Sequence, residues 1–147
     1  MGELPDANFW LALAWQGHAA HAVAKAWWES AAAQKIFFCR VTEMALLRLL
    51  TNRAILGDDA KTQAEAWRVY EALRGSPRVE FLAETPDFNA RWRAVSARDS
   101  QSTSRWSDDY LAAFAETQAV NVVTFDNDFR SYPGVKAEVL VQPAAKS

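Results

Sequence analysis

Short apolar runs alternating with longer helical stretches constrain this chain more than any other feature. IFFC at 36–39, VEFL at 79–82 and VNVVTF at 120–125 have strand length, and shorter candidates lie near 3–5 and at 137–141, AEVLV. Between them, Ala19, Ala22, Val23, Ala26 and Trp27 recur at helical spacing in HAAHAVAKAWWESAA, as do Leu46, Leu47 and Leu50 in TEMALLRLLTNR. Further helices are predicted at 62–74, 87–97 and 107–119. Gly75 reads as a helix stop ahead of Pro77 and a strand. Strands separated by helices need crossover connections, which place the strands parallel and cover the sheet on both faces. The predicted class is therefore α/β, a three-layer α/β/α arrangement around a central parallel sheet.

A chain of 147 residues with 50% apolar content suits one packed core. One domain is expected over 1–141, with a loose tail at 142–147. No stretch of about 18 apolar residues marks a membrane span, and no basic segment followed by an apolar run marks a secretory signal. A soluble, cytoplasmic protein without membrane association is expected. The single cysteine, Cys39, lies inside an apolar run and reads as a buried thiol without a functional role. Trp27, Trp67 and Trp92 read as core or dimer-interface residues, because tryptophan hides so much apolar area. The net charge of −2 argues against a general nucleic-acid coat. Locally, however, RWRAVSARDSQSTSR at 91–105 sets Arg91, Arg93, Arg98 and Arg105 against Asp99 alone. Arginines beside a Ser/Thr/Gln loop are either solvated surface or phosphate contacts.

Acids gather where the predicted strands end, and ligand crevices in open parallel sheets lie beyond those ends. Asp6 follows the first strand, Glu43 opens the helix after IFFC, Asp108 and Asp109 sit in a first helical turn, and Asp126 and Asp128 follow VNVVTF. Taken singly, each has a plain explanation. Thr42 and Ser107 look like N-caps, Asp6 could cap the helix from Ala7, and acids in a first turn complement the helix dipole. Taken together, carboxylates crowded on one rim repel unless a cation or proton intervenes. Oxygen donors without His or Cys select hard ions, Mg²⁺ or Mn²⁺, which act on phosphates. Metal-assisted phosphodiester hydrolysis is the chemistry such a rim suits. His18 and His21, three apart, lack the further ligands a zinc site needs, so capping or packing is expected of them.

The ordered set LPDANFWLAL, TEMALLRLL, SDDYLAAFA and VTFDNDFRSYPGV resembles the PIN-domain ribonucleases, and most of all the VapC toxins of toxin–antitoxin pairs, from about Leu4 to Leu140. The resemblance implies a PIN-like fold and an endoribonuclease that cuts RNA with Mg²⁺- or Mn²⁺-activated water. It also implies a homodimer and neutralisation by a cognate VapB-type antitoxin. Carried over by position, the catalytic acids fall on Asp6, Glu43, Asp108 and Asp126, with Asp6, Asp108 and Asp126 as metal ligands. Thr124 and Asp128 match supporting positions, and Asn8 would support Asp6. Asp109 stands where family members commonly carry Ala, and Arg91, Arg93, Arg98 and Arg105 are candidate RNA contacts.

Four other classes fit less well. A haloacid-dehalogenase-like phosphatase would put its Asp-x-Asp after the first strand, and a nucleotide-sugar transferase would need a larger nucleotide-binding domain. A Mg²⁺-binding receiver-like regulatory domain needs an acidic pair where this chain has only Asp6. A catalytically silent PIN-fold binding module would have no reason to keep the acids.

Overall fold

Five parallel strands form one sheet in the order β3-β2-β1-β4-β5 in the computed structural model, which describes residues 2–31 and 34–143. The strands are β1 Gly2–Pro5, β2 Lys35–Phe38, β3 Val79–Phe81, β4 Asn121–Thr124 and β5 Ala137–Val139. Helices α1 Ala7–Ala14 and α2 His21–Ser30 join β1 to β2, while α3 Arg40–Leu50, α4 Arg53–Leu56 and α5 Gln63–Arg74 join β2 to β3. Helices α6 Phe88–Ser96 and α7 Trp106–Gln118 precede β4, and a 3₁₀ turn, Asn127–Ser131, leads on toward β5. The predicted parallel, three-layered α/β class is what the structure shows. Of the predicted tail, residues 144–147 lie outside the described residues.

Alternation along each strand sorts side chains into two cores, as the period of two requires. Ile36, Phe38 and Val123 join Phe9, Trp10, Leu46 and Tyr70 on one face; Leu4 and Val122 join Phe88, Leu111, Phe114 and Phe129 on the other. Trp10 stacks on Phe38 with centroids 4.0 Å apart. Each such fully buried large side chain stabilises the fold by about 1.5–3 kcal/mol. Trp27 is buried as expected, and Trp92 packs against the second core. Trp67 is not a core residue: it is 47% exposed.

Several helix ends differ from expectation. Thr42 does not cap α3; the helix starts earlier, at Arg40, and the Thr42 hydroxyl reaches back to accept from the Cys39 N–H at 3.0 Å. That is the return limb of a capping box, which a Thr three residues into a helix can supply as well as Glu. Ser107 does not cap α7 either, since the helix begins at Trp106. Asp6 does cap α1, accepting from Phe9 N–H at 2.9 Å. Helix α3 stops at Leu50 because the Thr51 hydroxyl bonds back to the Leu47 and Arg48 carbonyls, and Asn52 then caps the separate α4. Gly75 ends α5. His18 and His21 make local bonds, to the Ala20 N–H and the Ala12 carbonyl.

The chain builds β1, β2 and β3 outward in one direction and then returns to place β4 on the other side of β1. This reversal leaves a crevice beyond the carboxyl ends of β1 and β4, where an open α/β sheet binds its ligand.

Candidate active site

Asp6 is held at that crevice from both sides. Its backbone N–H extends the sheet by bonding to the Val123 carbonyl at 2.9 Å, and one carboxylate oxygen caps α1. The other oxygen accepts from the Thr124 hydroxyl at 2.5 Å. Thr124, fully buried at the end of β4, also accepts from the Asp126 N–H at 2.9 Å. One hydroxyl therefore ties the acid after β1 to the acid after β4. Asp126 in turn accepts from the Asp128 N–H at 2.9 Å, which forms the turn that carries both residues. The Asx-type turn and the position of Asp126 at the rim are parts of one local structure.

Asp6 and Asp108 line a single cleft of about 390 Å³. Its remaining walls include Ala7, Asn8, Val41, Thr42, Ala45, Arg48, Leu49, Asn52, Ser107 and Leu111. Burial pushes the Asp6 carboxyl up to about 6 despite the Thr124 and Phe9 bonds, and repulsion from Asp108 and Asp126 adds to the rise. Burial likewise raises Asp108, with Asp126 the next cause. Asp128 stands near enough to add to it. These are carboxylates brought together at a cost to their charged forms, which a bound cation would relieve.

The donor set fits a hard cation. It consists of carboxylate oxygens and a hydroxyl, with no imidazole or thiolate at the rim. Among the described residues no three His, Cys, Asp or Glu side chains converge closely enough to encage one ion.

Glu43 is not brought to this cleft. Its carboxylate accepts from Arg40 at 2.6 Å and lies beside Tyr70, whose phenol is raised by burial and then by Glu43. On α3 the residues facing the cleft are Val41, Thr42, Ala45, Arg48 and Leu49, and Glu43 points about 100° round the helix from Thr42, toward α5. Asn8 lines the cleft but makes no hydrogen bond to Asp6 among the described residues.

Asp109 points away from the cleft. It is 1% exposed, receives two bonds from Arg98 at 2.7 and 2.8 Å, and accepts from the Tyr132 hydroxyl at 2.5 Å. Burial alone would raise this carboxyl, but Arg98 and Tyr132 outweigh it and hold it low. Arg105 donates to the same Tyr132 hydroxyl at 3.3 Å, and Arg91 pairs with Glu116 at 2.8 Å. Of the four candidate arginines, Arg93 is exposed and makes no ion pair among the described residues. The reading of residues alone had no role for Tyr132, Arg48 or Asn52. The stripe Val41, Ala45, Arg48, Asn52 repeats at helical spacing and was the available signal for the last two.

Comparison with known proteins bears on the family and the fold. The PIN domain family model matches residues 4–135. Ribonuclease VapC41 of Mycobacterium tuberculosis is 41% identical over 144 residues, covering 95% of this chain and 99% of that protein. Ribonuclease VapC38 of the same organism is 32% identical over 128 residues, 84% of each. Among solved structures, VapC20 of Mycobacterium tuberculosis, a sarcin-ricin loop cleaving toxin, superposes with TM-score 0.67 at 23% identity, covering 97% of this chain and all of that one. A chain of the DNA-bound VapBC2 complex of Rickettsia felis superposes with TM-score 0.71 at 12% identity, covering 96% of this chain and all of that one. At these identities the structural matches speak for the fold, while the sequence relatives and the family model speak for descent, and the chain belongs to the PIN-domain family.

Proposed function

We propose that this chain is an endoribonuclease of the VapC toxin type, a single PIN domain over 1–141 that hydrolyses RNA phosphodiester bonds and is neutralised by a cognate VapB-type antitoxin. The observation that carries the reading is the meeting of Asp6 and Asp108 in one cleft, with Asp126 tied to Asp6 through Thr124. Asp6, Asp108 and Asp126 would hold Mg²⁺ or Mn²⁺, with Asp128 in a supporting place. When bound, such an ion neutralises charge on the phosphate and makes water more acidic.

The chain's own residues do the rest. Thr124 fixes the rotamer of Asp6 through its hydroxyl, and the α1 cap fixes the other oxygen, so the acid is oriented before substrate arrives. Asp126 and Asp128 stand at the exposed mouth, where they can accept a proton from an attacking water. Glu43, turned toward Arg40 and Tyr70, supports the α3–α5 packing. Candidate RNA contacts remain Arg93 and those donors of Arg91 and Arg105 that their partners leave open. The VapBC complexes among the structural matches support the antitoxin partner, while a homodimer and a cytoplasmic location are part of the proposal; among the described residues no helix is long and apolar enough to cross a membrane.

The test combines stability with cleavage. Millimolar Mn²⁺ is expected to raise the melting temperature of wild type by binding the folded state, and to raise that of Asp6→Asn much less. Both Asp6→Asn and Asp108→Asn are expected to lose more than about a hundredfold in RNA cleavage, since outer-sphere changes alone cost about 10–100-fold. Sequencing the cleaved ends after brief expression would name the RNA. Equal Mn²⁺ shifts in wild type and Asp6→Asn, with cleavage retained, would remove the metal site and the mechanism with it.

A further inference from the structure

We infer that Arg48 is a phosphate-holding residue of the same cleft, gripping the RNA backbone next to the phosphate that the acids address. The inference rests on the ribonuclease reading and assigns a substrate contact to a residue outside the acidic set.

The cleft is bipolar. Asp6 and Asp108 line it together with Arg48, the only Lys or Arg among its described lining residues. Arg48 lies on the stripe Val41, Ala45, Arg48 of α3, three residues beyond Ala45 and therefore about 4.5 Å further along the axis, with Asn52 following at the cap of α4. Ala45, which also lines the cleft, carries only a methyl group and takes little room there.

Most arginines near the other pockets are already engaged. Arg91 pairs with Glu116, Arg98 with Asp109, and Arg105 with the Tyr132 hydroxyl. Among the described residues the Arg48 side chain makes no ion pair and no hydrogen bond; the Thr51 hydroxyl bonds to its backbone carbonyl, not to its side chain. Its planar fork of donors stays available, and that fork matches phosphate oxygens. Asn52 adds to it. Its side-chain oxygen accepts from the Ala54 N–H at 2.9 Å, so its amide donors are left over at the mouth of the same cleft. A cationic fork beside a free amide suits an anionic diester, and the neighbouring acids would repel a carboxylate-rich ligand.

Single-stranded poly(U), with Ca²⁺ replacing Mg²⁺ to hold cleavage back, is the binding probe; total RNA with Mn²⁺ is the cleavage substrate. Arg48→Ala is expected to weaken poly(U) binding roughly tenfold, as befits a lost charged hydrogen bond. It should also flatten the slope of log affinity against log salt by about 0.7, the value for one phosphate on a single strand. The apparent KM for total RNA should rise while kcat stays nearly unchanged. Arg48→Lys should recover the salt slope but only part of the affinity, since it keeps the charge and loses the fork. The exposed Arg68→Ala serves as the control for general charge loss and should change neither quantity.

Equal affinity and salt slope in wild type and Arg48→Ala overturn the assignment and leave the ribonuclease reading standing. So does an Arg48→Ala variant that loses only antitoxin association. A wild type that shows the Mn²⁺ stability shift yet neither binds nor cuts RNA overturns both, and the wild-type control alone tells that case apart.

Discussion

Replacing Asp109 by Asn tests whether its carboxylate is structural while its neighbour is functional. Asp109 is buried, takes both Nη groups of Arg98, and accepts from Tyr132, a residue that closes the turn carrying Asp126 and Asp128. The amide keeps one acceptor for Tyr132 but presents N–H groups to a guanidinium, donor against donor. Breaking a buried ion pair costs about 3–5 kcal/mol. The Arg98 side chain is 33% exposed and can turn to water, which reduces the loss to about 2–3 kcal/mol. For a chain of this length that corresponds to a melting temperature lower by about 6–12 °C. Asp108→Asn, which relieves repulsion from Asp126, should leave the metal-free protein as stable as wild type or more so. Calorimetry of the two metal-free variants in parallel measures the difference. RNA cleavage well below either transition should fall steeply for Asp108→Asn and stay within a few-fold of wild type for Asp109→Asn. An Asp109→Asn protein melting within about 2 °C of wild type would refute the reasoning, as would one that folds normally and no longer cuts.

The metal-free protein should lose stability as pH rises from 4 to 7. The folded Asp6 carboxyl, at about 6, lies above its unfolded value, so its contribution is complete at low pH and disappears as pH passes through 6. A melting-temperature profile should show that decline in wild type, a smaller one in Asp6→Asn, where only the raised Asp108 carboxyl remains, and its reversal by Mn²⁺ at pH 7. Among the arginines, Arg98→Ala should destabilise the fold because it strands the buried Asp109 carboxylate, whereas Arg93→Ala should leave the melting temperature unchanged. Matching melting curves for those two variants would show that the Arg98 pair contributes nothing.

The alternation of strand-length runs with helical stretches was enough, by itself, to determine a parallel α/β sheet, because side-chain periodicity and crossover handedness are local and general. It also placed Asp6, Asp108 and Asp126 at segment ends, where any open parallel sheet puts its ligand crevice. Neighbouring turns of a helix were harder to read. Glu43 and Thr42 are adjacent in sequence, yet one packs toward Tyr70 and the other lines the cleft. Asp108 and Asp109 divide the same way, into a cleft acid and a buried partner of Arg98. Only the tertiary structure could decide such pairs, because the choice depends on which distant element lies against each face of a helix. The bond from Thr124 to Asp6 spans 118 residues and exists because β4 returns beside β1, and the pairing of Tyr132 with Asp109 joins the segments on either side of β4. Arg48 belongs with these: its spacing was visible along α3, but its place in one cleft with Asp6 and Asp108 arises from the crevice that the strand order opens.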